Sequence, residues 1–230
     1  MEDDVYEAIK NGEIFEGRLK KKSEEMATAL SKFGWGGDAI RSVRDVYKGN
    51  IFVDETRGEV HIGEVIEMVL DAFEMVVNQG PLAREPCIKM KVALVDTKLH
   101  EDAIHRGPAQ VYPAVREAIT EAMKNGNAYL LEPIQVHLIE MPDQFLSEVT
   151  KLISGKRGQM LEVKQDESGT EMRVKLPVAE MIGWSSDLRS ATEGRGTSSL
   201  ADQMFERTPA SLQQDVVRKI RQRKGLAENQ

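Results

Sequence analysis

Ile134-Gln135-Val136-His137-Leu138 alternates apolar and polar side chains and reads as a strand with one wetter face. Working outward, Pro142 opens a helix whose Phe145, Leu146, Val149, Leu152 and Ile153 share one side, and Gly155 ends it. Two further strand patterns, Met160–Gln165 and Glu171–Leu176, flank Asp166-Glu167-Ser168-Gly169, a turn-rich link that predicts a hairpin. A helix from about Ala179 to Ala191 and a last strand near Ser199–Phe205 complete the series. The order β-α-β-β-α-β is the split βαβ, ferredoxin-like plan.

On the N-terminal side the chain reads differently. Residues 1–18 are mixed and punctuated by glycine, and a first helix is expected over Leu19–Phe33, ended by Gly34. A second is expected from Asp38, with Ile40, Val43, Val46 and Tyr47 as its apolar stripe and Gly49 as its stop. Over residues 64–78 Glu67, Asp71, Glu74 and Asn78 recur at helical spacing while almost every other position is apolar, so this helix should be central, with a narrow stripe meeting water. Ile88–Val95 has the period of a strand. The next helix is expected from Pro113 to Lys124, with Val115, Ala118, Ile119, Ala122 and Met123 inward. At the other end a tail helix opens at Pro209, with Leu212, Val216 and Ile220 on one side and Arg218, Lys219, Arg221, Arg223 and Lys224 on the other. The whole predicts an α+β chain of two domains.

Length agrees, since 230 residues hold two ordinary domains. With 31 Lys+Arg against 38 Asp+Glu, the net charge of −7 argues against a protein that coats DNA. The acidity lies almost wholly before residue 131, so any nucleic-acid contact must use local basic clusters. The single cysteine, Cys87, sits in an apolar, strand-like run and reads as a buried thiol in a reducing compartment. Met1–Asp4 is acidic and no apolar run approaches the roughly 18 residues that span a bilayer, so a cytoplasmic protein without membrane partners is expected.

The stretch Leu99-His100-Glu101-Asp102-Ala103-Ile104-His105-Arg106-Gly107-Pro108-Ala109-Gln110 carries the most chemistry. It joins a strand to a helix where about two to six residues usually suffice, and holds two of the four histidines. A metal-dependent or acid–base enzyme using His100, Glu101, Asp102 and His105 is one reading. His100 and His105 are one residue too far apart for the H-E-x-x-H pattern, however, and on a regular helix would point about 140° apart. There is no phosphate loop of the G-x-x-x-x-G-K-[ST] kind. Gly155-Lys156-Arg157-Gly158 is more simply a helix-to-strand turn, and His137 a packed or solvated histidine.

Asp102-Ala103-Ile104-His105-Arg106-Gly107 followed by Pro108-Ala109-Gln110 closely resembles the diphthamide loop of archaeal and eukaryotic members of the elongation factor 2 and G family, and Gly-Pro-Ala-Gln has the archaeal look. Gly155-Lys156-Arg157-Gly158-Gln159 and Asp187-Leu188-Arg189-Ser190-Ala191-Thr192-Glu193-Gly194-Arg195-Gly196 resemble the helix and turn of the family's fifth domain. The resemblance runs over essentially the whole chain. It implies residues 1–130 plus 205–230 as a fourth domain with the ribosomal protein S5 domain 2-like fold, lacking its first strand, and 131–204 as a ferredoxin-like fifth domain. It implies a ribosome-binding piece of a factor that promotes GTP-dependent translocation of tRNA and mRNA. His105 would be the diphthamide histidine, presented to modifying enzymes and ADP-ribosylating toxins. His100, Asp102, Ile104, His105, Arg106 and Gly107 would meet the decoding region, and Lys156, Arg157, Arg189 and Arg195 are candidate contacts to ribosomal RNA. GTP and magnesium would belong to a G domain outside this sequence, leaving this chain with neither catalysis nor cofactor of its own.

Overall fold

Three apolar residues on one side of α1 (Asp3–Lys10), Val5, Ala8 and Ile9, are buried, so the N-terminal segment expected to be irregular is in part a helix. The computed structural model describes residues 1–19, 23–57 and 61–227. After α1 come β1 (Gly17–Arg18) and α2 (Glu24–Ser31), whose first turn is capped by the Ser23 hydroxyl accepting from the Met26 amide. α2 is the C-terminal part of the helix expected from Leu19; residues 20–22 lie outside the described ones.

The second expected helix is corrected. Only α3 (Gly37–Ser42) is helical, and the chain then turns extended as β2 (Val43–Tyr47) and returns as β3 (Asn50–Asp54). Lys48 and Gly49, both at positive φ (46° and 72°), form the two-residue turn of this antiparallel hairpin. Val43 and Val46 fit a helical period as well as a strand, and their β-branching, together with the turn, decides for the strand.

α4 (Ile62–Asn78) crosses from β3 to β4 (Lys91–Leu94), which pairs parallel with β3 in a sheet ordered β1-β2-β3-β4. It buries Val65, Val69, Leu70, Ala72, Phe73, Val76 and Val77. Each such large apolar side chain contributes roughly 1.5–3 kcal/mol by leaving water. The polar stripe of α4 is more than a wet face. Glu67, Asp71 and Glu74 all grip Arg18 of β1, at 2.9, 2.5 and 2.6 Å. Cys87 lies outside any strand, half-buried against α4, with its thiol donating to the Val76 carbonyl.

α5 (Pro108–Asn125) starts five residues before the expected Pro113, which lies inside it. Pro108 takes the first helical position, where a missing N–H matters least. Starting there moves the inward stripe to Val111, Val115, Ile119 and Met123 and leaves Ala118 and Ala122 exposed. With α2 and α3 set between β1 and β2, the series β1, β2, β3, α4, β4 and α5 makes this half S5 domain 2-like.

The other half contains β5 (Leu131–Met141), α6 (Leu146–Gly155), β6 (Gln159–Asp166), β7 (Gly169–Pro177), α7 (Trp184–Ala191) and β8 (Thr197–Arg207). Its sheet is antiparallel in the order β6-β7-β5-β8, the ferredoxin-like arrangement. Ile139, Met141, Met172, Val174 and Leu176 of the sheet meet Val149, Ile153, Trp184 and Leu188 of the helices. α7 begins five residues later than expected: Val178–Glu180 is a short 3-10 turn and Gly183, at φ 78°, turns the chain into the helix.

The chain divides into Met1–Ala128 with Val217–Gln230, and Tyr129–Val216. The division falls at 216/217 rather than near 205 because β8 stays paired with β5 to Arg207, and Thr208 and Gln213 hydrogen-bond to Leu130. α8 (Ala210–Arg223) corrects one further residue. Arg221, expected on the polar side, is buried, with its guanidinium donating to the carbonyls of Leu82 (2.9 Å) and Ala227 (2.7 Å). Among the described residues no helix is long and apolar enough to cross a membrane.

Candidate nucleic-acid interface

Between β4 and α5 the loop tip is built by local hydrogen bonds. Asp102 caps a 3-10 turn, Ala103–His105, by accepting from the Ile104 amide at 3.1 Å, and its own amide donates to Nδ1 of His100 at 3.0 Å. Gly107 then serves as the N-cap of α5, its carbonyl accepting from the Gln110 and Val111 amides at 3.0 Å. His100, Asp102, Ile104 and His105 are exposed, and Ile104 is 74% so. The rings of His100 and His105 meet edge to face, 4.5 Å apart.

Arg106 is placed differently from the rest of the loop. Instead of standing at the tip it is buried, and one guanidinium nitrogen donates to the carbonyls of both His100 and Glu101 at 2.7 Å. Another meets a carboxylate oxygen of Glu64, on the first turn of α4, at 2.6 Å. The planar, many-donor guanidinium suits a junction that must satisfy several acceptors at once. Glu64 also pairs with His61 at 2.8 Å; these two partners, His61 first, hold its carboxyl below the usual range. Glu64 is the residue sequence reasoning missed. The available signal was that it extends the Glu67, Asp71, Glu74 stripe of α4 by one turn toward the loop.

The basic residues of the second unit separate into two kinds. Lys156 is held by Asp187 at 2.8 Å and by the carbonyls of Glu180 and Ile182. Arg157, at φ 56° in the turn after α6, is bound by Glu132 at 2.7 Å and Glu180 at 2.9 Å, which raise its pKa. Both charges are thus matched within the unit, and both side chains are partly exposed. Arg189 and Arg195 are exposed, Arg195 beside Glu193 and with its guanidinium 4.8 Å above the Phe145 ring. His137 is packed, bonded to Ser198 and Gln135, and burial lowers its pKa. Among the described residues no three His, Cys, Asp or Glu side chains converge as metal ligands.

The family model for "Elongation factor G, domain IV" matches residues 14–127, and that for "Elongation factor G C-terminus" matches residues 129–216. The chain belongs to the elongation factor 2 and G family. Elongation factor 2 of Nanoarchaeum equitans is 47% identical over 98% of this chain, and that of Pyrococcus horikoshii 43% identical over all of it. Elongation factor 2 of Methanosphaera stadtmanae is 42% identical over 98%. The chain spans 31% of the length of each of these curated relatives. Within the family, it carries domain IV and the C-terminal domain.

Proposed function

We propose that this chain serves translation elongation as a ribosome-binding module whose loop 99–110 enters the decoding region during GTP-dependent translocation of tRNA and mRNA. The observation that carries the reading is the exposed His105 imidazole on a 3-10 turn whose base is closed by the buried Arg106. A preformed tip of this kind meets the backbone and 2′-hydroxyls of an RNA helix without first having to be ordered. On the same reading His105 is the diphthamide-type histidine, acted on by the modifying enzymes and ADP-ribosylating toxins, and Arg189 and Arg195 are the candidate contacts to ribosomal RNA. GTP and magnesium are assigned to the part of the family protein outside these residues, and the cytoplasm is the compartment.

The experiment is co-sedimentation of the chain with archaeal ribosomes, together with mass analysis of His105 after expression in a host that makes diphthamide. Saturable binding weakened by His105→Ala, and a mass increment on His105 alone, are expected. In the same variant thermal stability should stay within about 0.5 kcal/mol of the parent, as for other exposed loop substitutions. An unmodified His105 and binding indifferent to the substitution would overturn the reading.

A further inference from the structure

Loop residues 100–106 contain no apolar side chain that the fold buries, so something other than a core must hold them. Three facts identify what does. Arg106 is 8% exposed although residues 100–105 before it are all exposed. Its guanidinium closes the loop on itself by bonding two carbonyls on the incoming arm, His100 and Glu101, while its own backbone lies on the outgoing arm. Its carboxylate partner among the described residues, Glu64, belongs to α4, 42 positions earlier, and is itself braced by His61 three residues before it. Glu64 is itself half exposed, but it stands on the first turn of α4, a helix that the core holds through Val65, Val69 and Phe73, and so ties the loop to a packed element.

We infer that Glu64 is a positioning residue for His105: through Arg106 it fixes the loop that presents the imidazole, and His61 orients Glu64 for that task. Glu64 touches neither His105 nor anything His105 is expected to meet. Its effect passes through the two carbonyls that Arg106 ties down. The inference deepens the proposed role of His105 and rests on it only for its consequence, since ordering of the loop is a property of the chain alone.

The isolated 230-residue chain gives the test. Amide hydrogen exchange would be followed at His105 and Arg106, whose N–H groups donate to the carbonyls of Asp102 and Ala103 within the turn. Glu64→Ala should speed exchange at both by about tenfold or more, while amides of β5 and β7 stay within about twofold. Arg106→Lys should do the same, and the double variant should add nothing, because both act along one path. Glu64→Gln, which keeps an acceptor without the charge, should fall between. The cross-peaks of the His100 and His105 ring protons should shift in Glu64→Ala, which a mere loss of helix stability would not bring about. Loop exchange unchanged in Glu64→Ala, or acceleration spread evenly through α4 and α5, overturns the inference. Failure of the parent chain to bind ribosomes would instead overturn the proposed function and leave the positioning result standing.

Discussion

Asp45 of β2 is 1% exposed, and among the described residues neither of its carboxylate oxygens has a hydrogen-bond partner of good geometry. Burial, and after it the neighbouring Glu74 carboxylate, push its pKa up from 3.8 to about 6, with Arg18 opposing. A carboxyl that binds its proton more tightly when folded lends stability that is fully present below about pH 4 and is lost as the pH rises through about 6. Asp45→Asn removes the buried charge and keeps the shape. It should stabilise the chain by roughly 1–3 kcal/mol at pH 7 and by little at pH 4, the sign being set by the raised pKa. Urea unfolding at the two pH values checks this, and an equal effect at both would refute it. The contrast with Arg18 is instructive: three carboxylates on α4 face that one guanidinium, whereas Asp45, its cross-strand neighbour in the β1–β2 pairing, meets no well-placed donor among the described residues.

Among the elements, β5, α6, β7 and α4 are legible in the sequence because each carries one period over many residues, and β6 because it is joined to β7 by the turn-rich Asp166–Gly169. The β2–β3 hairpin is not, because Ile40, Val43, Val46 and Tyr47 satisfy a helical spacing and only the positive φ of Lys48 and Gly49 breaks it. Gly49 has a second constraint: a Cβ there would sit 2.5 Å from the Tyr6 ring of α1. Gly49→Ala should therefore destabilise by about 2 kcal/mol or more, combining a strained turn with a steric clash. Gly12→Ala, also at positive φ but in open space, should show the strain alone, about 1 kcal/mol. Equal losses in thermal unfolding of the two variants would mean that the ring moves aside. The loop that bears His105 is legible in the sequence as a connection too long and too polar to be a simple link. The inward turn of Arg106 was not, because its partner Glu64 becomes a neighbour only when α4 and α5 pack.

Across the whole first unit, the C-terminal segment is bound to the stretch that follows α4. Besides Arg221 on Leu82, Lys224 donates to the carbonyls of Ala83 and Arg84 and pairs with Glu85 at 2.8 Å. Cys87 lies at the end of that stretch, its backbone N–H bonded to Val77 and its thiol pushed up to about 11 by burial. The thiolate is the reactive form, and here it is both scarce and shielded. The one sulfhydryl of the sequence is thus a built-in clock. At pH 8, alkylation by a bulky maleimide should proceed only as fast as this region opens, and Arg221→Ala should quicken it by about tenfold. A rate matching that of a free thiol in the parent chain would mean the region is already open, whereas a slow one turns a single chemical label into a running measure of how firmly the last helix is moored.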